Sequence, residues 1–263
     1  MHFVYILAAT IPAILILFYV YKQDKFPEPR QIVIKTFLFG CAITLAVKLL
    51  IPVFDDYSQK YFSGETYYFF DSFIRAAFLE ELFKLFVLVF YCSRKTEFDE
   101  PMDGLVYGVA ASLGYAAYEN IEYVLYTYNE PSFHLAYVRA LSAVPMHALV
   151  GVVMGFLITQ SIFEKKHNYL NLFMALSIPV LIHGFYNYIY STSLISNYMA
   201  TVLLFVLFLR AIYMFRDLKK KQIAGRPKVH AKKYFITGEK LFGISTSLLF
   251  VLLVANYLIE LAT

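Results

Sequence analysis

The stretch Phe-Leu-Glu-Glu-Leu-Phe-Lys, residues 78–84, places Glu80, Glu81 and Lys84 in the middle of an apolar run. That run, residues 69–91, has the length and apolarity of a membrane-spanning helix. An ionisable side chain at such a depth costs about 2.5–3.5 kcal/mol even on the milder scales. Because the cost is high, such groups mark functional sites, and we expect the function of the chain to lie here.

Composition places the whole chain in the membrane class. Hydrophobic residues make up 60% of the 263 residues and charged residues 16%, and the mean hydropathy is +0.60. These values are typical of a polytopic membrane protein. We predict an all-α membrane bundle that forms a single domain over residues 1–263, with its functional core at about 69–190. About eight transmembrane helices are expected, roughly at residues 2–21, 33–53, 69–91, 102–126, 137–163, 169–190, 197–215 and 240–260.

Lysine and arginine residues are concentrated in alternate loops. The loops after the first, third, fifth and seventh predicted helices are basic, and the loops between them carry almost no positive charge. The positive-inside rule therefore predicts a multi-pass protein of the cell membrane with both termini outside the cytoplasm. The long basic tract, residues 216–239, is predicted to be a cytoplasmic loop that lies against anionic lipid head groups, and not a nucleic-acid site.

Small residues recur at helical spacing in two of the predicted spans. Gly104 and Gly108 lie four residues apart, as do Gly151 and Gly155. Such spacing lets transmembrane helices pack closely, which is the interpretation we favour. The alternative, a non-catalytic scaffold that binds a partner helix through these glycines, does not explain the ionisable groups.

Four predicted helices carry polar side chains at a similar depth. At about 1.5 Å per residue, Glu80 and Glu81 lie about 16 Å from the outer end of their helix, His147 about 15 Å and His183 about 10 Å. Residues 119–120, Glu-Asn, reach about the same level. Polar groups that merely hold helices together need not share a depth, so the coincidence indicates an active site.

Each of these side chains also has a structural interpretation. Lys84 follows Glu80 by four residues and Glu81 by three, so a salt bridge accounts for one glutamate. One ammonium cannot neutralise both carboxylates, and the excess carboxyl suits a group that exchanges a proton with water. A lone buried histidine is usually a packing residue. Asn187, however, lies one turn beyond His183 on the same helix face. Together the two side chains are expected to bind an oxyanion by hydrogen bonds.

At these residues the chain resembles the PrsW family of membrane proteases, within the superfamily that includes CAAX prenyl endopeptidases and Abi proteins. The resemblance covers most of residues 80–187. Five blocks in order carry it: residues 80–84 (E-E-x-x-K), 98–108, 114–123, His147, and 183–187 (H-x-x-x-N).

The resemblance implies an intramembrane endopeptidase, without a cofactor, that cleaves a single-pass membrane protein such as an anti-sigma factor in bacterial regulated proteolysis. It implies that Glu80 is the base that activates water. It also implies that His147, His183 and Asn187 bind the developing oxyanion, with Glu81 completing the catalytic set.

Three further residues are predicted to support the site: Lys84, Glu119 and Asn120. Two alternatives stay open. The first is a zinc or iron ion bound by two carboxylates and two imidazoles, at Glu80, Glu81, His147 and His183. No H-E-x-x-H motif is present. The second is a proton-coupled transporter in which the buried glutamates and histidines form a relay, although no paired interrupted helices are evident.

Overall fold

The computed structural model describes residues 2–128, 130–163, 168–223 and 236–262, and within these ranges the chain is helical with no β-strand. The predicted all-α class is confirmed. The helices are α1 (His2–Gln23), α2 (Arg30–Tyr61), α3 (residues 64–91), α4 (Pro101–Tyr126), α5 (Phe133–Leu141), α6 (Ala143–Phe163), α7 (Asn168–Ser191), α8 (Tyr198–Ile223) and α9 (Gly238–Ala262).

Six helical segments in the described ranges are long and apolar enough to cross a membrane. They are α1, α2, α5 with α6, α7, α8 and α9. Helices α3 and α4 occupy the two remaining predicted spans and carry most of the predicted site residues. The outer helices leave large apolar side chains such as Leu49, Phe205 and Phe242 exposed, as a protein surrounded by lipid requires.

The basic tract at residues 216–239 is only partly described. Residues 216–223 continue α8 as a helix, and residues 224–235 lie outside the described residues.

The fifth predicted span is interrupted. Sequence predicted one helix over residues 137–163, whereas the structure has α5 and α6 with a break at Ser142. Pro145 lies in the first turn of α6, where its missing N–H costs no hydrogen bond, and it disfavours a helix that continues through the preceding residues. Ser132 begins α5 by accepting a hydrogen bond from the Leu135 N–H at 3.1 Å.

Around the glutamates, helix α3 passes from π-helical to α-helical geometry and back to π-helical geometry. Residues Phe70–Phe78 and Val87–Tyr91 are π-helical, and Leu79–Phe86 between them is α-helical. Wide turns of this kind are rare and frequently occur at functional sites. The α-helical segment keeps Glu80, Glu81 and Lys84 at the spacing that lets their side chains meet.

Helix α4 lies in the centre of the bundle and packs closely on α6. A Cβ atom added at Gly155 would lie 2.1 Å from the Gly104 carbonyl oxygen, and one added at Gly108 would lie 2.4 Å from the Gly151 carbonyl oxygen. Both distances are far below van der Waals contact, so only glycine allows this approach. The predicted packing role of the four glycines is confirmed.

Replacing Gly155 by valine should force α4 and α6 apart. We expect a loss of about 1–3 kcal/mol in the free energy of unfolding, the usual cost of overpacking. Gly243→Val is the matched control, because nothing lies within 4 Å of a Cβ added there. Unfolding in mixed micelles, followed by circular dichroism, measures both variants. Equal stability of the two would contradict the close packing.

Candidate functional site

Lys84 is fully buried between the two glutamates of α3. Its Nζ lies 2.7 Å from Glu81 Oε1 and 3.7 Å from Glu80 Oε2. Only the first distance is that of a charge-assisted hydrogen bond. The lysine therefore pairs chiefly with Glu81 and stands at the edge of ion-pair range from Glu80.

His147 of α6 connects Lys84 to α4. Its Nδ1 lies 3.1 Å from Lys84 Nζ, and its Nε2 lies 3.2 Å from Glu119 Oε2. An ammonium group can only donate, so Nδ1 is the acceptor and the ring proton is on Nε2, directed at Glu119. The orientation of the imidazole is thus fixed from both sides.

His183 of α7 faces both glutamates. Its Nδ1 lies 2.8 Å from Glu81 Oε1, and its Nε2 lies 3.9 Å from Glu80 Oε2. The rings of His183 and His147 are 5.0 Å apart and nearly perpendicular. The structure therefore brings the glutamate pair and both histidines, from three helices, into one buried cluster.

A cavity of about 570 Å³ opens onto this cluster. Glu80 lines the cavity and Glu81 does not. The Glu80 side chain is 8% exposed, and that of Glu81 is 0% exposed. Glu80 Oε2 and Glu81 Oε2 are both buried and have no hydrogen-bond partner within the described part of the chain, so the difference between the two residues lies in their access to the cavity. The two adjacent glutamates are therefore unequal, since one faces the cavity and the other lies behind it.

The remaining predicted residues lie at different places. Asn187 is half-buried one turn after His183 and lines the same cavity. Glu119 also lines it, whereas Asn120 does not. Instead, Asn120 is buried and donates to the Ala9 carbonyl oxygen at 3.2 Å, which ties α4 to α1.

Arg139 was missed by the sequence reasoning. Its Nη2 donates to Glu119 Oε2 at 2.5 Å and its Nε to Asn120 Oδ1 at 2.6 Å. It thereby supplies the counter-charge for the carboxylate that orients His147. The available signal was a single arginine near the start of an apolar span, which is easily taken for an interfacial residue.

Tyr115 lies within the block at residues 114–123 and is a further residue of the site. It is buried, lines the cavity, and its ring lies 4.4 Å from Lys84 Nζ. An aromatic face at this distance stabilises an ammonium group by a cation–π interaction.

The cavity extends from the cluster towards the ends of α4 and α7, where Thr127 and Ser191 line it. Ion pairs border it: Lys48 contacts Glu122, and Arg75 Nε lies 3.3 Å from Asp55 Oδ1. The buried cluster thus has a polar route to one end of the bundle.

The same cluster has the composition of a metal site. Glu80, Glu81, His147 and His183 each offer a ligand atom, and these atoms lie within 4.8 Å of one another. Carboxylate and imidazole donors suit zinc or iron. Lys84, however, already donates hydrogen bonds to Glu81 and His147 from inside the cluster. A metal would have to share these ligands with an ammonium group.

The chain is similar in sequence to known proteins over most of its length. The family model described as "PrsW family intramembrane metalloprotease" matches residues 28–212. The chain is 32% identical to "Protease PrsW" of Oceanobacillus iheyensis over 219 residues, which cover 82% of this chain and 96% of that protein. It is 35% identical to the protein of that name from Bacillus subtilis over 209 residues, 79% of this chain and 91% of the relative. No solved structure matches the chain significantly.

Removal of the buried ammonium tests the balance of charge in the cluster. Lys84→Met should leave the Glu81 carboxylate without its partner and cost about 3–5 kcal/mol of folding free energy. Lys48→Met is the control. The Lys48 side chain is 45% exposed, so loss of its pair with Glu122 should cost at most about 1 kcal/mol. Unfolding midpoints in detergent measure both, and a loss in Lys84→Met no larger than in the control would contradict the pairing.

Proposed function

Because this chain belongs to the PrsW family of intramembrane proteases, we propose that it cleaves a membrane-anchored protein with a water molecule activated by Glu80. One observation carries the proposal: of the two glutamates, Glu80 alone lines the cavity. Family membership also favours a protease over the proton-coupled transporter.

Glu80 acts as general base. It takes a proton from a water molecule as the water oxygen attacks the peptide carbonyl carbon, and it later returns that proton to the leaving amine nitrogen as the C–N bond breaks. The carbonyl oxygen becomes negatively charged in between. Asn187, on the cavity wall one turn after His183, donates a hydrogen bond to it. His183 also donates to it, from Nε2 of an imidazolium ring, because the Nδ1–H of that ring is directed at the Glu81 carboxylate.

Glu81 positions the other groups. Its Oε1 accepts from Lys84 at 2.7 Å and lies 2.8 Å from His183 Nδ1. These contacts hold the ammonium group away from Glu80 and fix the ring of His183. In the same way Glu119 fixes His147. In this assignment Glu80 takes part in the reaction, and Glu81 and Glu119 orient the two histidines.

The family description names a metalloprotease, and a metal is the alternative source of activated water. Glu80, Glu81, His147 and His183 would hold the ion, which supplies Lewis-acid activation when bound. We favour glutamate chemistry without a cofactor, because the Lys84 ammonium donates hydrogen bonds to Glu81 and His147 within the cluster and repels a cation.

The proposed substrate is a single-pass membrane protein, with an anti-sigma factor as the expected class. Under the positive-inside rule both termini lie outside the cytoplasm. The ends of α4 and α7, towards which the cavity extends, then face outwards. The substrate would enter from the lipid bilayer and be cut nearer its outer end. No nucleic acid takes part.

Glu80→Gln tests the base assignment. The amide keeps the shape of the side chain and cannot accept the proton, so cleavage of a single-pass substrate in liposomes should fall by about 10²–10⁴-fold while the protein stays folded. Glu239→Gln, an exposed change at the start of α9, should cleave at the wild-type rate. Full activity in Glu80→Gln with normal unfolding would defeat the proposal.

Chelation separates the two sources of activated water. With Glu80 as base, activity should survive prolonged treatment with EDTA and 1,10-phenanthroline. Elemental analysis should find the same zinc and iron content in the wild type as in the His183→Ala variant. Loss of cleavage that one of these metals restores would assign the four residues to a metal centre.

A further inference from the structure

A second group of acidic side chains lies at the end of the bundle where α1 ends and α4 begins. Asp24 and Glu28 are in the segment between α1 and α2, and Glu100 and Asp103 are at the start of α4. Asp103 is about 24 Å from Glu119 along α4 at 1.5 Å per residue. The group is therefore separate from the candidate active site.

Three of these carboxylates converge. Asp24, Glu100 and Asp103 each offer an oxygen, and the three oxygens lie within 4.8 Å of one another. Gln222, near the end of α8, orients two of them, since its Nε2 donates to Asp24 Oδ1 at 2.7 Å and to Glu100 Oε1 at 2.6 Å. Residues from three distant parts of the sequence thus form one site.

Helix capping explains only part of this arrangement. Asp103 Oδ2 accepts the backbone N–H groups of Asp99 at 2.8 Å and Glu100 at 2.7 Å, the capping role expected at a helix N-terminus. Its other oxygen, Oδ1, is buried and has no hydrogen-bond partner in the described ranges. A cap needs one oxygen, so the second points to another ligand.

Unsatisfied oxygens recur across the group. Asp24 Oδ2 and Gln222 Oε1 are also buried and lack a partner among the residues that the structure describes. Asp24, Asp103 and Gln222 are 7%, 0% and 5% exposed. Leaving buried oxygens of this kind unpaired is costly, and a cation between them would remove the cost.

Asp24, Glu100 and Asp103 accept hydrogen bonds from neutral donors, the Gln222 amide and backbone N–H groups. Glu28 accepts from the Tyr107 hydroxyl, and its carboxyl group also lies within hydrogen-bond distance of Asp103. Among the residues that the structure describes, no lysine or arginine side chain is hydrogen-bonded to Asp24, Glu100 or Asp103.

We infer that Asp24, Glu100 and Asp103 bind one hard divalent cation, Mg²⁺ or Ca²⁺, in a site oriented by Gln222. All available donors are oxygens, which these ions prefer, whereas zinc and iron favour nitrogen or sulfur ligands. The ion would join the end of α1 to α4 and, through Gln222, to α8. Since α4 also carries Tyr115 and Glu119, the site would hold the helix that forms one cavity wall.

Terbium luminescence tests the inference in the full-length protein in detergent. Tb³⁺ is a hard ion that tyrosine sensitises, and the chain has 23 tyrosines and no tryptophan. We expect a saturable signal that Ca²⁺ or Mg²⁺ displaces. Glu100→Gln should weaken Tb³⁺ binding at least about tenfold. Glu97→Gln, whose native carboxylate accepts from Thr96, and Glu80→Gln in the active site should bind like the wild type.

Several results would overturn the inference: no displaceable signal in the wild type, undiminished binding in Glu100→Gln, or loss of binding in Glu80→Gln, which would place the ion in the active site. Thermal unfolding provides a readout that needs no variant. Saturating Mg²⁺ or Ca²⁺ should raise the Tm of the wild type by several degrees over its value in EDTA. An unchanged Tm with both ions would also reject the site.

Discussion

Lys84 lies between two carboxylates in the buried interior of the bundle, where an unpaired charge of either sign is strongly disfavoured. It is 2.7 Å from Glu81 and 3.7 Å from Glu80, so the contact is unequal. Glu81 is thereby held as a fixed anion behind the cavity wall. The second carboxylate is left facing the cavity, where it can meet water. The proposed chemistry of the site depends on this division between two adjacent, identical side chains.

Contacts between the other helices hold these side chains in position. Glycine contacts between α4 and α6 bring His147 against Lys84 and Glu119, and a methyl group at Gly155 would separate these helices. Arg139 then balances the charge of Glu119 from the short helix α5. Lys84, Glu81 and Glu119 thus each contact a residue on another helix within hydrogen-bond distance, whereas Glu80 Oε2 lies 3.9 Å from His183 Nε2, beyond that distance.

Much of this could be predicted from sequence. The all-α class and most of the helix positions follow from apolar runs, and the similar depth of Glu80, His147 and His183 follows from helical rise. Other features could not be predicted, because they depend on contacts between distant residues. Arg139 reaches Glu119 from α5, the short helix that ends just before Ser142. The π-helical turns of α3 could not be predicted, because no sequence pattern marks them. The acidic group near Asp103 could not be predicted either, because it is assembled from α4, a loop and α8.

The inequality between Glu80 and Glu81 can be measured with two double-mutant cycles in unfolding free energy, one between Lys84→Met and Glu81→Gln and one between Lys84→Met and Glu80→Gln. The account predicts that the coupling energy of Lys84 with Glu81 exceeds that with Glu80 by at least about 1 kcal/mol. Equal coupling energies, or a larger value for Glu80, would mean that Lys84 does not pair preferentially with Glu81. Either result would contradict the assignment of Glu80 as the general base.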